Sequence, residues 1–196
     1  MAHTGNNPSA IRSQGWLVEA LLSLMAEKPY RKITIKEIAE KAELDRSTFY
    51  RHFTSKEAVL ERHLDQLAQE YLQRLDTGEN MDMGKVAKIF IAFWIEHLDF
   101  IRLARANDLD SLLLKTFNKH LPSIHRLTKG QFAYSISEEH MEFALAFNAG
   151  GMWNILMKWV DSDFEHTYED LIKAFEEISR FNFFRQEDIN ERLLEQ

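Results

Sequence analysis

The sequence predicts an all-α protein, and three observations predict it. Apolar residues recur at spacings of three and four along most of the chain, as one buried helix face requires. Only 7 glycines and 3 prolines occur in 196 residues, too few for the many tight turns of a β-sandwich. No stretch alternates with period two for long enough to build a sheet.

The elements follow in order. Asn7 or Ser9 is placed to cap a first helix, with Pro8 tolerated in its first turn. Leu17, Ala20, Leu21, Leu24 and Met25 form its apolar face, and Lys28-Pro29 ends it because the residue before proline avoids the α region. Thr34, with Glu37 three residues on, reads as a capping box. It opens a helix of barely two turns in which Ile35, Ile38, Ala39 and Ala42 face one way. Asp45 is the expected cap of a third short helix, whose apolar residues are Phe49 and Phe53. Ser55 caps a fourth, with Leu60, Leu64, Leu67, Tyr71 and Leu75 on one face until Asp76-Thr77-Gly78. Thr77–Asp82 reads as a linker. Beyond it helices are expected over 83–106, 108–120, a Pro122-interrupted segment to about 133, 138–160 and 167–184.

Charge is distributed unevenly. The net charge is −7, yet residues 1–60 carry nine basic and seven acidic side chains while the rest carries the whole acidic excess. Between Arg46 and Lys56 lie three cations and no acid. Such an island suits a polyanion, although three cations in eleven residues also arise by chance. The absence of cysteine excludes disulfides, thiolate metal sites and cysteine nucleophiles. His120 and His125 are five apart across Pro122, and His97, His140 and His166 lack a histidine four residues on, so no metal site is expected. There is no glycine-rich phosphate loop and no Gly-x-Ser-x-Gly elbow. Glu138-Glu139 and Glu176-Glu177 read as solvated helix surface, so neither an enzyme nor a cofactor is expected. The first residues lack the basic and apolar regions of a signal peptide, and no apolar run reaches the ~18 residues of a membrane span, so the expected compartment is the cytoplasm.

The informative stretch is Ile33–Leu60. A two-turn helix, a tight turn and a second short helix make a helix-turn-helix. Ala39 supplies the small residue at the crossing, and Ile38, Ala42, Leu44 and Phe49 point inward. Arg46, Ser47, Thr48, Tyr50 and Arg51 are left for the outer face. We place this unit in residues 1–57 and a second helical unit in 58–196.

This stretch resembles the N-terminal DNA-binding domain of TetR-family transcriptional regulators. Thr34, Ile38, Ala39, Ala42, Thr48, Tyr50, His52, Phe53, Ser55, Lys56, Glu57 and Leu60 carry the resemblance in register. Two positions depart from the pattern: Glu43 stands where glycine is usual in the turn, and Asp45 replaces serine as the cap. The resemblance implies that Arg46, Ser47 and Thr48 meet base edges, with Arg46 bidentate to guanine. Thr34, Lys36, Tyr50, His52 and Lys56 would meet phosphates, with Arg51 on the same outer face; packing or capping is the alternative for His52.

The later chain agrees with the family in length, helicity and a loose pattern from Gly150-Gly151 through Trp159 to Leu171. The helix over 138–160 is apolar nearly all round, so it is buried on more than one side. Met152, Ile155, Leu156 and Trp159, with Leu171 and Phe175 of the last helix, are the candidate homodimer interface; a central helix inside one subunit explains the same pattern. The resemblance also implies a small-molecule effector between these helices. Phe90, Phe93, Trp94, Phe117, Phe143 and Phe147, in a crowd that includes Phe100 and Phe132, are the candidate lining, with Arg102 and Arg105 as an anionic handle. The implied function is a one-component repressor binding a palindromic operator as a homodimer, with the fourth helix transmitting effector binding. The rivals are a relative that binds another protein instead of DNA, and a small helical hydrolase of apolar esters.

Overall fold

The computed structural model describes residues 8–75, 83–128, 137–162 and 165–180. These residues form α1 (Pro8–Glu27), α2 (Ile35–Lys41), α3 (Arg46–His52), α4 (Lys56–Leu75), α5 (Met83–Glu96), α6 (Leu98–Ala106), α7 (Asp110–Thr128), α8 (Met141–Asp161) and α9 (Tyr168–Arg180). Short 3₁₀ turns occupy Tyr30–Lys32 and Glu138–His140. No strand occurs among the described residues, as an all-α fold requires.

Several local expectations are met by geometry. The Thr34 hydroxyl accepts from the Glu37 amide at 3.3 Å, while the Glu37 carboxylate accepts from the Thr34 amide at 2.9 Å, closing the capping box. Ser55 Oγ accepts from the Ala58 amide at 3.2 Å at the start of α4. Asp45 does not behave as expected. It occupies the cap position of α3 in extended backbone, but its side chain makes no capping hydrogen bond. Ser9 lies inside α1, where its carbonyl accepts from Ser13 Oγ, and Asn7 lies outside the described residues.

Two helix boundaries differ from the sequence reading. The expected helix over 83–106 breaks at His97 (φ −105°, ψ 23°) into α5 and α6. No proline or glycine marks that break. Tertiary contacts flank it: His97 Nε2 lies 3.4 Å from the Glu70 carboxylate of α4, and Phe100 turns its ring edge-on to His63 of α4 at 4.6 Å. Conversely, α7 runs through Pro122 without interruption. The proline removes one donor, which leaves the Asn118 carbonyl without its helical partner. Both residues are exposed, so water is at hand to replace the lost bond.

One continuous core threads the molecule. Leu17, Leu21, Ile38, Phe49, Val59 and Leu60 are fully buried where α1–α4 meet, and Leu75, Phe90, Ile91, Phe93, Ile101 and Leu156 where α4–α6 and α8 meet. Helix α4 serves both regions, so the expected division at residue 57 falls within its first turn. Ion pairs add cross-links: Arg74 of α4 to Glu96 of α5 at 2.7 Å, Lys119 of α7 to Asp65 of α4 at 3.0 Å. Exposed pairs like these contribute only about 0.2–1 kcal/mol each. Among the described residues no helix is long and apolar enough to cross a membrane.

The His63 environment makes stability depend on pH. Burial, and secondarily the charge of His97, push His63 down to about 4. The folded chain keeps this ring neutral, whereas the unfolded chain protonates it below about 6.5, so acid favours unfolding. Stability should therefore fall as pH drops from about 6.5 to 4, by up to about 3 kcal/mol from this one group. His52 is shifted in the same direction and adds to the slope. In His63→Leu, urea midpoints measured across that window should vary much less with pH. An unchanged slope would refute the assignment.

Candidate nucleic-acid interface

The turn between α2 and α3 is built from backbone hydrogen bonds. The Leu44 amide donates to the Ala39 carbonyl at 2.9 Å and the Glu43 amide to the Glu40 carbonyl at 3.1 Å. This is a Schellman ending, and it needs a left-handed residue at Glu43, which has φ 55°. A non-glycine residue there costs about 1 kcal/mol, offset by Leu44 packing on the core. The ends of α1 and α2 are tied by Lys41 to Glu27 at 2.6 Å and by Lys28 to Glu37. The hydrogen bond from Lys28, then those from Thr34, hold the Glu37 carboxyl down to about 2.

Helix α3 has only seven residues, too short to persist alone, so packing must hold it. Phe49 is 0% exposed and Phe53 lies buried a turn later, their rings 6.1 Å apart. With those two behind it, α3 turns Arg46, Ser47, Tyr50 and Arg51 to solvent, and Thr48 is half-buried. The outward groups are already ordered. Arg46 Nη2 donates to the Tyr50 hydroxyl at 3.0 Å, with its guanidinium 5.4 Å from the ring centre. Arg51 Nη2 donates to Thr48 Oγ1 at 2.9 Å. Each hydroxyl accepts and keeps its own proton, so both remain donors toward a ligand.

The other candidate contacts divide. Lys36 is exposed, 3.6 Å from Glu40. The Thr34 hydroxyl is engaged with Glu37 in both directions, so its readiest role is as a cap. His52 is half-buried, and burial first, then the Arg51 charge, lower its proton affinity. It therefore presents a neutral ring near pH 7. Lys56 departs most from the expectation. Its ammonium donates to the carbonyls of Tyr30 at 2.8 Å, Ile33 at 3.0 Å and Arg31 at 3.3 Å, and sits 4.4 Å from the centre of the Tyr30 ring. All three donors are committed, so it braces the 3₁₀ turn instead of waiting for a phosphate. Sequence reasoning also passed over the exposed Arg31 and Lys32, two cations separated from the Thr34 cap only by the buried Ile33.

The six aromatic residues expected to line one pocket are not brought together. Phe90, Phe93 and Trp94 are buried on α5; Tyr71 of α4 lies 5.4 Å from Phe93 and 5.8 Å from Phe117 of α7, and Phe90 lies 5.7 Å from Phe117. Trp153 of α8 closes on Trp94 at 5.6 Å. Phe143 and Phe147, in contrast, are 66% and 71% exposed on the outside of α8. Phe132 lies outside the described residues. Arg105 is engaged with Asp110 at 3.0 Å and Asp161 at 2.6 Å, while Arg102 stays exposed beside Asp99.

The expected subunit-contact set lies largely inside the single chain. Met152, Leu156, Trp159, Leu171 and Phe175 are buried within the single chain, and Ile155 is half-buried against the same core. The single chain thus already covers most of this set, and within it Ile155 keeps the most exposed area. Among the described residues, the large apolar side chains that α8 and α9 leave exposed are Phe143, Phe147 and Ile178. A helix apolar all round announces two buried sides, but not which side belongs to the chain itself.

Comparison with known proteins matches the geometry. The family described as bacterial regulatory proteins, tetR family, matches residues 17–62, from α1 into α4. The chain is 40% identical over 50 residues to the uncharacterized HTH-type transcriptional regulator YvkB of Bacillus subtilis (strain 168), a match covering 26% of each chain. It is 35% identical over 66 residues to the uncharacterized HTH-type transcriptional regulator YxbF of the same organism, covering 33% of this chain and 17% of that one. The matched region thus spans about a quarter or less of these relatives. In fold, the chain is similar to the crystal structure of Lin0861 from Listeria innocua, with TM-score 0.73 and 17% identity over 92% of this chain and 96% of that one. Residues 17–62 of this chain thus match the N-terminal domain of the tetR family of bacterial regulatory proteins.

Proposed function

We propose that this chain is a cytoplasmic transcription regulator and not an enzyme: a homodimer that binds a palindromic DNA operator, represses transcription and responds to a small-molecule effector. The observation that carries this reading is the outer face of α3. Two buried phenylalanines hold the helix from behind while Arg46, Ser47, Tyr50 and Arg51 stand exposed and pre-ordered. Arg46 is the group suited to a bidentate contact with guanine, and Tyr50, Arg51 and Lys36 suit phosphates. Glu43 and Asp45, both exposed at the start of α3, repel phosphates and keep non-specific affinity low.

The homodimer is supported by the exposed Phe143 and Phe147, one turn apart on α8, with Ile178 on α9. Two phenylalanines left uncovered one turn apart mark an interaction face. The effector is supported by the aromatic core around Tyr71, Phe90, Phe93 and Phe117, beside which the buried Trp94 Nε1–H meets no acceptor among the described residues. An apolar molecule carrying one hydrogen-bond acceptor fits that chemistry. In the dimer, the two α3 helices would enter major grooves about 34–36 Å apart.

Polarisation of labelled fragments of the upstream region, titrated across salt, tests the reading. Affinity should fall linearly on a log–log salt plot. Arg46→Ala should cost about 1–3 kcal/mol on the specific site, and Lys36→Ala should weaken all sequences alike and reduce the salt slope by about 1. Lys56→Ala should act on stability first, because it unbraces the turn over Tyr30–Lys32. Wild-type affinity in both Arg46→Ala and Tyr50→Ala would sink the proposal and leave the protein-binding alternative.

A further inference from the structure

We infer that Asn107 is a positioning residue, a polar latch that sets the angle of the helix-turn-helix unit on the C-terminal helices. Its amide reaches across the chain. The Tyr30 amide donates to Asn107 Oδ1 at 2.6 Å, and Asn107 Nδ2 donates to the Met25 carbonyl at 3.4 Å. Those partners stand 77 residues earlier, in the 3₁₀ turn, and 82 residues earlier, at the end of α1. The same Nδ2 also donates to the Leu103 carbonyl at 2.9 Å, one turn back on α6, which fixes the amide's orientation.

Both ends of the latch are anchored. Asn107 closes α6 in a Schellman ending: the Leu109 amide donates to the Ala104 carbonyl at 3.0 Å and the Asp108 amide to the Arg105 carbonyl at 3.1 Å, with Asp108 left-handed at φ 58°. Arg105 in that turn binds Asp110 at 3.0 Å and Asp161, the last residue of α8, at 2.6 Å. On the other side, the Tyr30 carbonyl accepts from Lys56, and its hydroxyl donates to Glu57 at 3.1 Å, both in the first turn of α4. A continuous set of polar contacts therefore runs from the end of α8 through Arg105, Asn107 and Tyr30 to the start of α4.

Helix α4 already joins the two regions, but a single helical connection permits bending and rotation. A second attachment away from the α4 axis removes that freedom. The purpose of the restraint, fixing the separation of two α3 helices for successive grooves, rests on the DNA-binding reading; the restraint itself does not. Because the path ends on α8, rearrangement there has a route to the N-terminal unit that bypasses the body of α4.

The chain has no cysteine, so labels go only where they are introduced. Spin labels at Glu40→Cys on α2 and Lys115→Cys on α7, both exposed, report the separation of the two regions in the full chain. Labelled chain diluted into excess unlabelled chain isolates the distance within one subunit. The wild type should give one narrow distance distribution. Asn107→Ala, and Asn107→Gln with its amide one methylene further out, should broaden it and speed exchange of the Tyr30 amide by about tenfold, the size of one neutral hydrogen bond. Asn107→Asp keeps an acceptor for the Tyr30 amide but sets a carboxylate oxygen against the Met25 and Leu103 carbonyls, so it should protect that amide better than alanine does while still broadening the distribution. Should the alanine variant fail to fold, the glutamine and aspartate pair carries the comparison. Wild-type distributions in the alanine and glutamine variants, or a Tyr30 amide no better protected in the aspartate variant than in the alanine variant, would overturn the inference. These readouts need no DNA, so failure of the wild type to bind DNA counts against the functional reading alone.

Discussion

Phe49→Ala is expected to destabilise the N-terminal unit by about 3–5 kcal/mol, the cost of removing a fully buried aromatic side chain and leaving a cavity. Phe49 is 0% exposed and touches the rings of both Phe53 and Tyr50. A seven-residue helix has no independent means of staying formed, so the loss falls on α3 as a whole. Urea unfolding combined with amide exchange on α3 would measure it. Tyr50→Ala is the contrasting control. Tyr50 is 49% exposed, so truncation should leave the unfolding midpoint nearly unchanged while weakening DNA binding. An unaltered midpoint in Phe49→Ala would show that α3 is held by something other than its inner face.

The second large effect is expected at α8. Phe143→Asp with Phe147→Asp should convert the proposed homodimer to a monomer, because a two-fold interface would set each introduced carboxylate near its own copy in an apolar contact. Both side chains are exposed in the single chain, so the subunit fold should survive and its helical signal should persist. Sedimentation velocity would read the assembly. Losing the linked second half-site should weaken operator binding by about 10²–10⁴-fold. Leu156→Asp is the informative opposite, since it places a charge in the subunit core and should unfold the chain. A double variant that still sediments as a dimer would place the proposed subunit contact elsewhere.

Much of the helix-turn-helix was legible because its signals are local. The Thr34–Glu37 capping box, the Ser55 cap and the left-handed Glu43 depend on neighbours within five residues, so the linear order of residues contains the geometry. The alternation of Phe49 and Phe53 with polar residues likewise assigns the inner and outer faces of α3. Locality has limits even there: Asp45 has the right residue type for a cap, yet its carboxylate makes no capping bond.

What escaped the sequence depends on partners far along the chain. Lys56 has the chemistry of a phosphate ligand, and only three carbonyls placed 23–26 residues earlier show that its charge is engaged. Asn107 looks like an ordinary turn residue until Tyr30 and Met25 stand beside it. Helix α8 carries apolar side chains all round, and its sequence does not tell Leu156 from Phe147. Residue type and spacing alone determined the all-helical fold and the helix-turn-helix, because helices and their caps are closed by contacts within a few positions. Tertiary packing alone decided which apolar stripe the chain buries for itself and which cations are already paired, because burial and pairing belong to surfaces that come together only after folding.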